Sequence, residues 1–191
     1  HGIDMLRQHV RPETRIGSYI VDGGRASNVV PDYAEVECCI RHSERAYLDT
    51  VVEKVMKCFE GAAIATETTY DVRQMGEKFD NMVWNETATQ AAEQVLSDMG
   101  IAYEAPKDCG SSDVGNVSHQ CPALHLHLAL GDVPMPEHSV EIANAVKDPA
   151  IEPIIVRGAE IMGRLAILLG SDETRCQAMM DEFKGHVAVR V

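Results

Sequence analysis

Hydrophobic positions along this chain recur with two different periods, and the changes of period divide it into elements. Met5 and Leu6, closed by Pro12, read as the tail of a helix, and Arg15 to Asp22 reads as a strand ending in the turn signal Asp22-Gly23-Gly24. From Tyr33 to Arg41 the period is two, with Ala34, Val36, Cys38 and Ile40 on one face and Glu35, Glu37 and Arg41 on the other. That spacing predicts a strand with one buried and one wet face. Ser43 stands where it can cap the next helix, in which Leu48, Val51, Val52, Val55, Met56 and Phe59 form a single apolar stripe ending at Gly61. Ile64 to Arg73 alternates again and predicts a third strand. The order helix, strand, strand, helix, strand describes an α+β sandwich with helices on one face of an antiparallel sheet.

A polar stretch, Gln74 to Asn81, precedes a change of register, and a domain boundary is expected near Asn81. Ala88, Ala91, Ala92, Val95, Leu96 and Met99 then mark an amphipathic helix ending at Gly100. Beyond it come a Gly/Ser-rich loop from Cys109 to Ser118, a buried-looking strand from Ala123 to Leu130, a loop to His138, and a long helix from about Glu152 to Leu169. This alternation is α/β in character. The tail from Ser171 carries a short amphipathic piece around Met179, Met180 and Phe183 with no functional reading.

Composition narrows the functions available. A chain of 191 residues, 45% hydrophobic, can bury a core and suits one or two domains. With 17 basic against 30 acidic residues its field repels phosphate backbones and anionic lipid, so neither nucleic acid nor membrane is an expected partner. The apolar runs fall short of the roughly 20 residues that a membrane helix needs. Six cysteines without C-x-x-C spacing fit reduced thiols and a cytoplasmic protein. The chain opens at His1 with no signal-peptide pattern, and its first residues already read as helix, so the polypeptide is expected to begin further upstream.

Four features could carry chemistry. The loop Gly110-Ser111-Ser112-Asp113-Val114-Gly115-Asn116-Val117-Ser118 concentrates hydroxyls, a carboxylate and an amide between glycines, which suits a polar ligand, although the same residue types also build ordinary turns. It matches neither phosphate-loop pattern. His125 and His127 stand two apart in a predicted strand and so share a face. They read as imidazoles satisfied by hydrogen bonds or as two ligands of a metal that needs more. His138 follows Pro134-Met135-Pro136-Glu137 and is either an exposed loop histidine or a ligand. Arg41, at the wet end of its strand, could clamp a substrate carboxylate or be a solvated edge charge. No G-x-S-x-G elbow is present, so serine-hydrolase chemistry has no support.

Several segments together resemble the M20 family of metallopeptidases and amidohydrolases, nearest its aminoacylase-like branch and the second of the two aminobenzoyl-glutamate hydrolase chains. Asp22 to Pro31 resembles the family's G-G-x-x-x-N-V/I-V/I-P turn, with Asn28 at the asparagine. Gly61 to Thr69 is similar to the helix-to-strand segment of its lid domain. Ser112 to Ser118 is similar to its S/T-D-x-G-N/D-V-S loop, followed by Pro122 and His125 at the expected offset. The resemblance implies a ferredoxin-like α+β lid, or dimerisation, domain over residues 1–78. Residues 79–191 would be the returning carboxyl-terminal part of a zinc-peptidase-like α/β catalytic domain.

The resemblance also implies chemistry: metal-assisted hydrolysis of an amide bond in an N-acyl amino acid or a small dipeptide-like substrate, by a homodimer paired through its lids. Two zinc or manganese ions would lower the pKa of a bridging water, with a glutamate as general base. His138 falls at a metal-ligand position, and Asp113, Asn116, His125, Arg41, Asn28 and His9 fall where substrate would bind. The family's other ligands come from an H-x-D or C-G-H-D motif, a Glu-Glu pair and a further histidine. This sequence holds neither an H-x-D motif nor a Glu-Glu dipeptide, so no catalytic residue is assigned and the chain alone is expected to be inactive. Where related lids read R-V/I-H, this chain has Arg15-Ile16-Gly17, so it lacks a lid histidine that could stabilise an oxyanion. Two alternatives stand beside this reading: a non-catalytic dimerisation or ligand-binding module descended from such an enzyme, and a self-contained zinc site of His125, His127 and His138.

Overall fold

The computed structural model describes residues 1–105, 110–131 and 135–188. Its contacts group into two units, His1–Asn81 and Met82–Val191. It mixes helices with one small sheet, in keeping with an α+β or α/β class.

In the first unit a short helix α1 (Gly2–Leu6) and a 3-10 turn (Arg7–His9) lead into strand β1 (Arg15–Asp22). Strand β2 (Glu35–Arg41) pairs with it antiparallel, Arg15 opposite Arg41 and Ile16 opposite Ile40, with an irregularity between Ile20 and Asp22. Helix α2 (Arg45–Thr66) covers one face. Ile16, Val51 and Val55 form the buried centre, with Ile3, Leu6, Val10, Ile40, Tyr47 and Phe59 packed around it. Of the apolar stripe read from the sequence, Val51, Val55 and Phe59 pack here, joined by Tyr47. Alternation puts Gly17, Tyr19, Glu37, Cys39 and Arg41 on the opposite, open face.

Two expectations for this unit are corrected. Helix α2 does not stop at Gly61. The helix-compatible run Ala62 to Ala65 carries it to Thr66, where Glu67 turns left-handed at φ 54° and the Thr68 amide donates to the Ala63 carbonyl at 3.0 Å. That capping takes Ile64 to Thr66 into the helix, and 67–73 is not a strand. Among the described residues the sheet thus has two strands, fewer than a ferredoxin-like sandwich requires. Ser43 is likewise not the cap of α2: His42 Nδ1 accepts the Glu44 amide at 2.9 Å, and Asn81 Oδ1 accepts that of Arg45 at 3.3 Å.

The second unit is built on helix α3 (Glu86–Asp98), which buries Ala88, Ala91, Ala92, Val95 and Leu96, the predicted stripe. Gly100 at φ 66° closes it, with the Ile101 amide donating to the Leu96 carbonyl at 2.9 Å. A short helix α4 (Val114–Ser118) forms inside the Gly/Ser-rich loop, and α5 (Val140–Ala145) follows His138. The long helix α6 (Glu152–Ser171) and the tail helix α7 (Glu173–Ala188) both pack on α3. Val95, Leu96 and Ile161 centre this core, joined by Met99, Ile101, Leu128, Leu165 and Leu168. The strand expected over Ala123 to Leu130 is not formed. The segment runs without regular pairing, because a strand needs a ladder partner and the only sheet among the described residues is that of the first unit.

Candidate functional site

The loop at 110–118 organises itself through its own short-range bonds. Ser112 Oγ accepts the Val114 amide at 3.2 Å and donates to Asp113 Oδ1 at 3.3 Å, and the Gly115 amide donates to the Ser112 carbonyl at 3.1 Å. Ser118, 1% exposed, ties the loop to the unit's interior: its hydroxyl donates to the Gly115 carbonyl at 2.6 Å and accepts the Val83 amide at 2.8 Å. With Gly115 and Ser118 buried, Asp113 is left exposed and Asn116 half-buried at the outer edge of α4. The sequence suggested a polar loop but not this anchor. A serine three residues after a glycine in a helical turn is the signal that could have found it.

His125 and His127 are both exposed, on the same side of the 123–130 segment, with ring centroids 4.5 Å apart and planes tilted by 40°. Their rings make no hydrogen bond to another described residue. Leu128 is anchored in the α3/α6 core, and an added Cβ at Gly158 of α6 would stand 2.8 Å from Leu128 Cδ1.

His138 is exposed and left-handed at φ 58°, a conformation in which a non-glycine residue is uncommon though histidine is among the tolerated types. It immediately precedes Ser139, whose hydroxyl caps α5 by accepting the Ile142 amide at 3.2 Å. Among the described residues no three His, Cys, Asp or Glu side chains come together as a metal-binding group. His125, His127 and His138 therefore do not form the self-contained zinc site, and the donor set described does not by itself hold a pair of metal ions. Cys109 and Pro134, at the rims of two of these segments, lie outside the described residues.

In the first unit His9 ends the 3-10 turn, exposed, with its carbonyl accepting Lys54 Nζ at 3.3 Å. Asn28 is exposed in the 23–34 loop. That loop turns at Gly24, whose amide donates to Asp22 Oδ1 at 3.0 Å and whose φ of 99° suits glycine. Arg41 ends β2, exposed, directly across from Arg15, whose guanidinium is taken up by the Pro12 and Thr14 carbonyls at 2.7 and 3.2 Å. Gly17 faces Cys39 across the sheet, leaving that position of the open face without a side chain. Two tyrosines border it: Tyr19 donates to Glu37 and Tyr33 to Glu35, each at 2.9 Å. These carboxylate hydrogen bonds hold both phenols above their ordinary pKa.

His42 stands out little in the sequence, yet its side chain is fully enclosed. Its Nε2 contacts Glu13 Oε1 at 3.2 Å, and its ring lies 4.6 Å from that of Tyr47, over which the Arg11 guanidinium sits at 4.1 Å. A hydrogen bond from its own backbone, aided by that from His42, holds the Glu13 carboxyl below its ordinary value against the opposing effect of burial. This cluster fixes the end of β2, and with it Arg41, to the start of α2.

The five described cysteines are free thiols. Among the described residues no helix is long and apolar enough to cross a membrane.

No protein-family profile matches the chain. Curated proteins do. The Xaa-Arg dipeptidase of Mus musculus is 25% identical over 187 residues, 95% of this chain and 43% of the dipeptidase. The N-acetyldiaminopimelate deacetylase of Leuconostoc citreum is 31% identical over 138 residues, 70% of this chain and 34% of the deacetylase. One of the chains of the p-aminobenzoyl-glutamate hydrolase of Escherichia coli is 34% identical over 100 residues, 52% of this chain and 21% of the hydrolase chain. The chain thus spans less than half the length of the curated relatives it matches.

Proposed function

Because this chain is homologous to the M20 family of peptidases and amidohydrolases, we propose that it forms part of a hydrolase that cleaves the amide bond of an N-acyl amino acid or a small dipeptide-like substrate. The observation that carries this reading is the chemistry shared by the relatives' names: a dipeptide, an N-acetylated amino acid and an aminobenzoyl-glutamate each present an amide bond to an amino acid. Residues 1–78 are the lid and residues 79–191 the returning part of the catalytic domain. Two such chains pair through their lids. Exposed apolar side chains of the two-stranded sheet, Tyr19 on its open face and Ile20 and Val36 on the other, supply area for that contact.

Within this reading the loop from Ser112 to Ser118 presents Asp113 and Asn116 to the substrate, and His125 of the same unit is a further substrate contact. Arg41 on the lid takes the carboxylate that all three substrate types share, its strand end held by the enclosed His42. Asn28 and His9 are further lid contacts. His138 gives one ligand to a two-ion zinc or manganese centre, which when bound supplies an activated water and a polarised carbonyl. With no H-x-D motif, no Glu-Glu dipeptide and no described three-ligand cluster, the chain does not complete that centre itself.

The test is an amide-hydrolysis assay of the purified chain against N-acetyl amino acids and Xaa-Arg dipeptides, with zinc or manganese supplied. No turnover is expected from the chain alone, and turnover is expected when it is joined to a polypeptide bearing the H-x-D and Glu-Glu motifs. Turnover by the chain alone overturns the division of ligands. Absence of turnover in a folded, metal-loaded joined protein overturns the substrate class.

A second reading, a binding or dimerisation module without catalysis, draws on Gly17, which leaves the open face of the sheet without a histidine where family lids carry one.

A further inference from the structure

We propose that His125 and His127 form a two-imidazole chelating site on the surface of the second unit for a divalent transition-metal ion of the copper(II) or nickel(II) class. Both rings are exposed, and neither is engaged by a hydrogen bond to a described residue. Their centroids are 4.5 Å apart, with planes tilted by 40°, neither stacked nor perpendicular. Two ring nitrogens, each about 2.1 Å from one shared ion, stand about 3 Å apart when they are cis ligands. Ring centroids 4.5 Å apart bring the two imidazoles within reach of that spacing, and χ2 of histidine is a broad torsion through which the nitrogens can turn toward a shared ion.

The segment is anchored so that the pair is held ready. Leu128 is packed into the Val95, Leu96 and Ile161 cluster, over a position of α6 where only Gly158 leaves it room, and Leu124 is half-buried. Leu126, between the two histidines, is exposed as they are, so the segment is held from either side by Leu124 and Leu128 while both rings stand in the open. Such pre-organisation reduces the ordering cost of binding.

The ligand chemistry selects the ion. Neutral imidazole suits copper, nickel and zinc, and affinity along the divalent series peaks at copper(II). The described residues bring no third His, Cys, Asp or Glu side chain into a common group, so water completes the coordination sphere. That arrangement fits the tetragonal preference of copper(II) and nickel(II) better than a closed tetrahedral zinc site. The formal net charge of −13 raises the local concentration of cations. This site is separate from the role proposed for His138 and does not depend on catalysis.

The test uses the full chain with its amino terminus acetylated, so that His1 cannot chelate through the terminal amine. Copper(II) and nickel(II) are titrated calorimetrically, and copper(II) coordination is read by electron paramagnetic resonance. The expected result is one ion per chain with two imidazole nitrogens in the equatorial plane. Loss of a ligand in His125→Ala or His127→Ala is expected to weaken binding by about tenfold or more, with His138→Ala unchanged. Both side chains are exposed, so circular dichroism is expected to show folding preserved. As a check within the unaltered protein, bound copper(II) is expected to protect His125 and His127 from acylation by diethylpyrocarbonate. Equal binding by the wild type and the His125→Ala/His127→Ala double variant overturns the proposal, as does equal loss in His138→Ala, which would make the site a three-histidine one.

Discussion

The two units secure the start of a long helix from opposite distances along the chain. In the first, the leading amides of α2 are taken by His42, two residues before the accepted amide, and by Asn81, 36 residues away. The same region is tightened by Arg45, which bonds Asp80 at 2.7 Å and Asp49 at 3.1 Å. In the second, Asn85 caps α3 through Ala88 and also donates to the Met179 carbonyl, while Glu182 accepts the Glu86 amide at 2.6 Å and both the Thr87 amide and hydroxyl at 3.0 and 2.8 Å. Those partners lie 94 to 96 residues from α3 in sequence. The first unit is thus closed by one neighbour two residues away together with partners 35 and 36 residues away, and the second by its own tail. Local closure is readable from a sequence and cheap in chain entropy, whereas distant closure is neither.

Substitutions at four positions probe this contrast. The largest effect is expected in the tail-closed unit: Ile161→Ala removes a side chain that is 2% exposed at the meeting of α3 and α6, and is expected to cost about 3 kcal/mol. Urea denaturation followed by hydrogen exchange should show the loss concentrated in residues of α3, α6 and α7. An equal loss of protection across α2 would mean that the units are not separately closed.

Gly24→Ala comes next, with about 2 kcal/mol expected. The residue is at φ 99°, and its new Cβ would stand 2.6 Å from Pro31 Cγ, a ring atom with little freedom to move. The loss belongs to the first unit alone, so a thermal scan that resolves the two units should shift only one transition.

Glu182→Ala is expected to cost about 1–2 kcal/mol by releasing the amides of α3. Burial raises the Glu182 carboxyl, but the amide hydrogen bonds from Thr87 and Glu86 and the hydroxyl bond from Thr87 outweigh it, so its pKa is lowered overall. A folded-state pKa below the unfolded value contributes stability that is fully present above the ordinary glutamate range and is lost as pH falls through the lowered value. Glu182→Gln should therefore flatten the acid limb of the stability curve for the second unit. An unchanged acid limb would show that Glu182 does not cap α3 in solution.

The smallest effect has the opposite sign. Thr14 is buried, and its hydroxyl has no hydrogen-bond partner among the described residues. Thr14→Val is expected to stabilise the first unit by about 0.5–1 kcal/mol in the same denaturation experiment.

The same contrast explains what the sequence made legible. The apolar stripes of α2 and α3 were readable because the 3.6-residue period records which face is buried. Strand β1 was readable to its ends because Arg15 and the Asp22-Gly23-Gly24 turn bound it. The expected strand at 64–73 failed because α2 runs on through Thr66, and that at 123–130 because alternation records which side of a segment is covered and not whether a neighbouring strand is present to pair. The tail helix α7 had no reading because its value lies in Glu182 and in the Met179 carbonyl reaching α3, which no local pattern reports.

For the candidate site, the polar loop was legible as a composition, but its anchor at Ser118 was not, since a buried hydroxyl serving two backbone groups looks like any other serine. His125 and His127 do share one side, with no hydrogen bond from either ring to a described residue. The enclosed His42 is the converse case. A histidine beside a turn looks exposed until Arg11 and Glu13, from the turn before β1, and Tyr47, from α2, are brought around it.

If this chain carries the lid and returning segments of an M20-type hydrolase, the remaining metal ligands lie outside it, and the coding frame upstream of His1 in the source DNA decides the matter. An uninterrupted frame encoding an H-x-D or C-G-H-D motif followed by a Glu-Glu pair is expected there. An initiation codon immediately before His1 would contradict the hydrolase reading and leave a non-catalytic binding or dimerisation module as the better description.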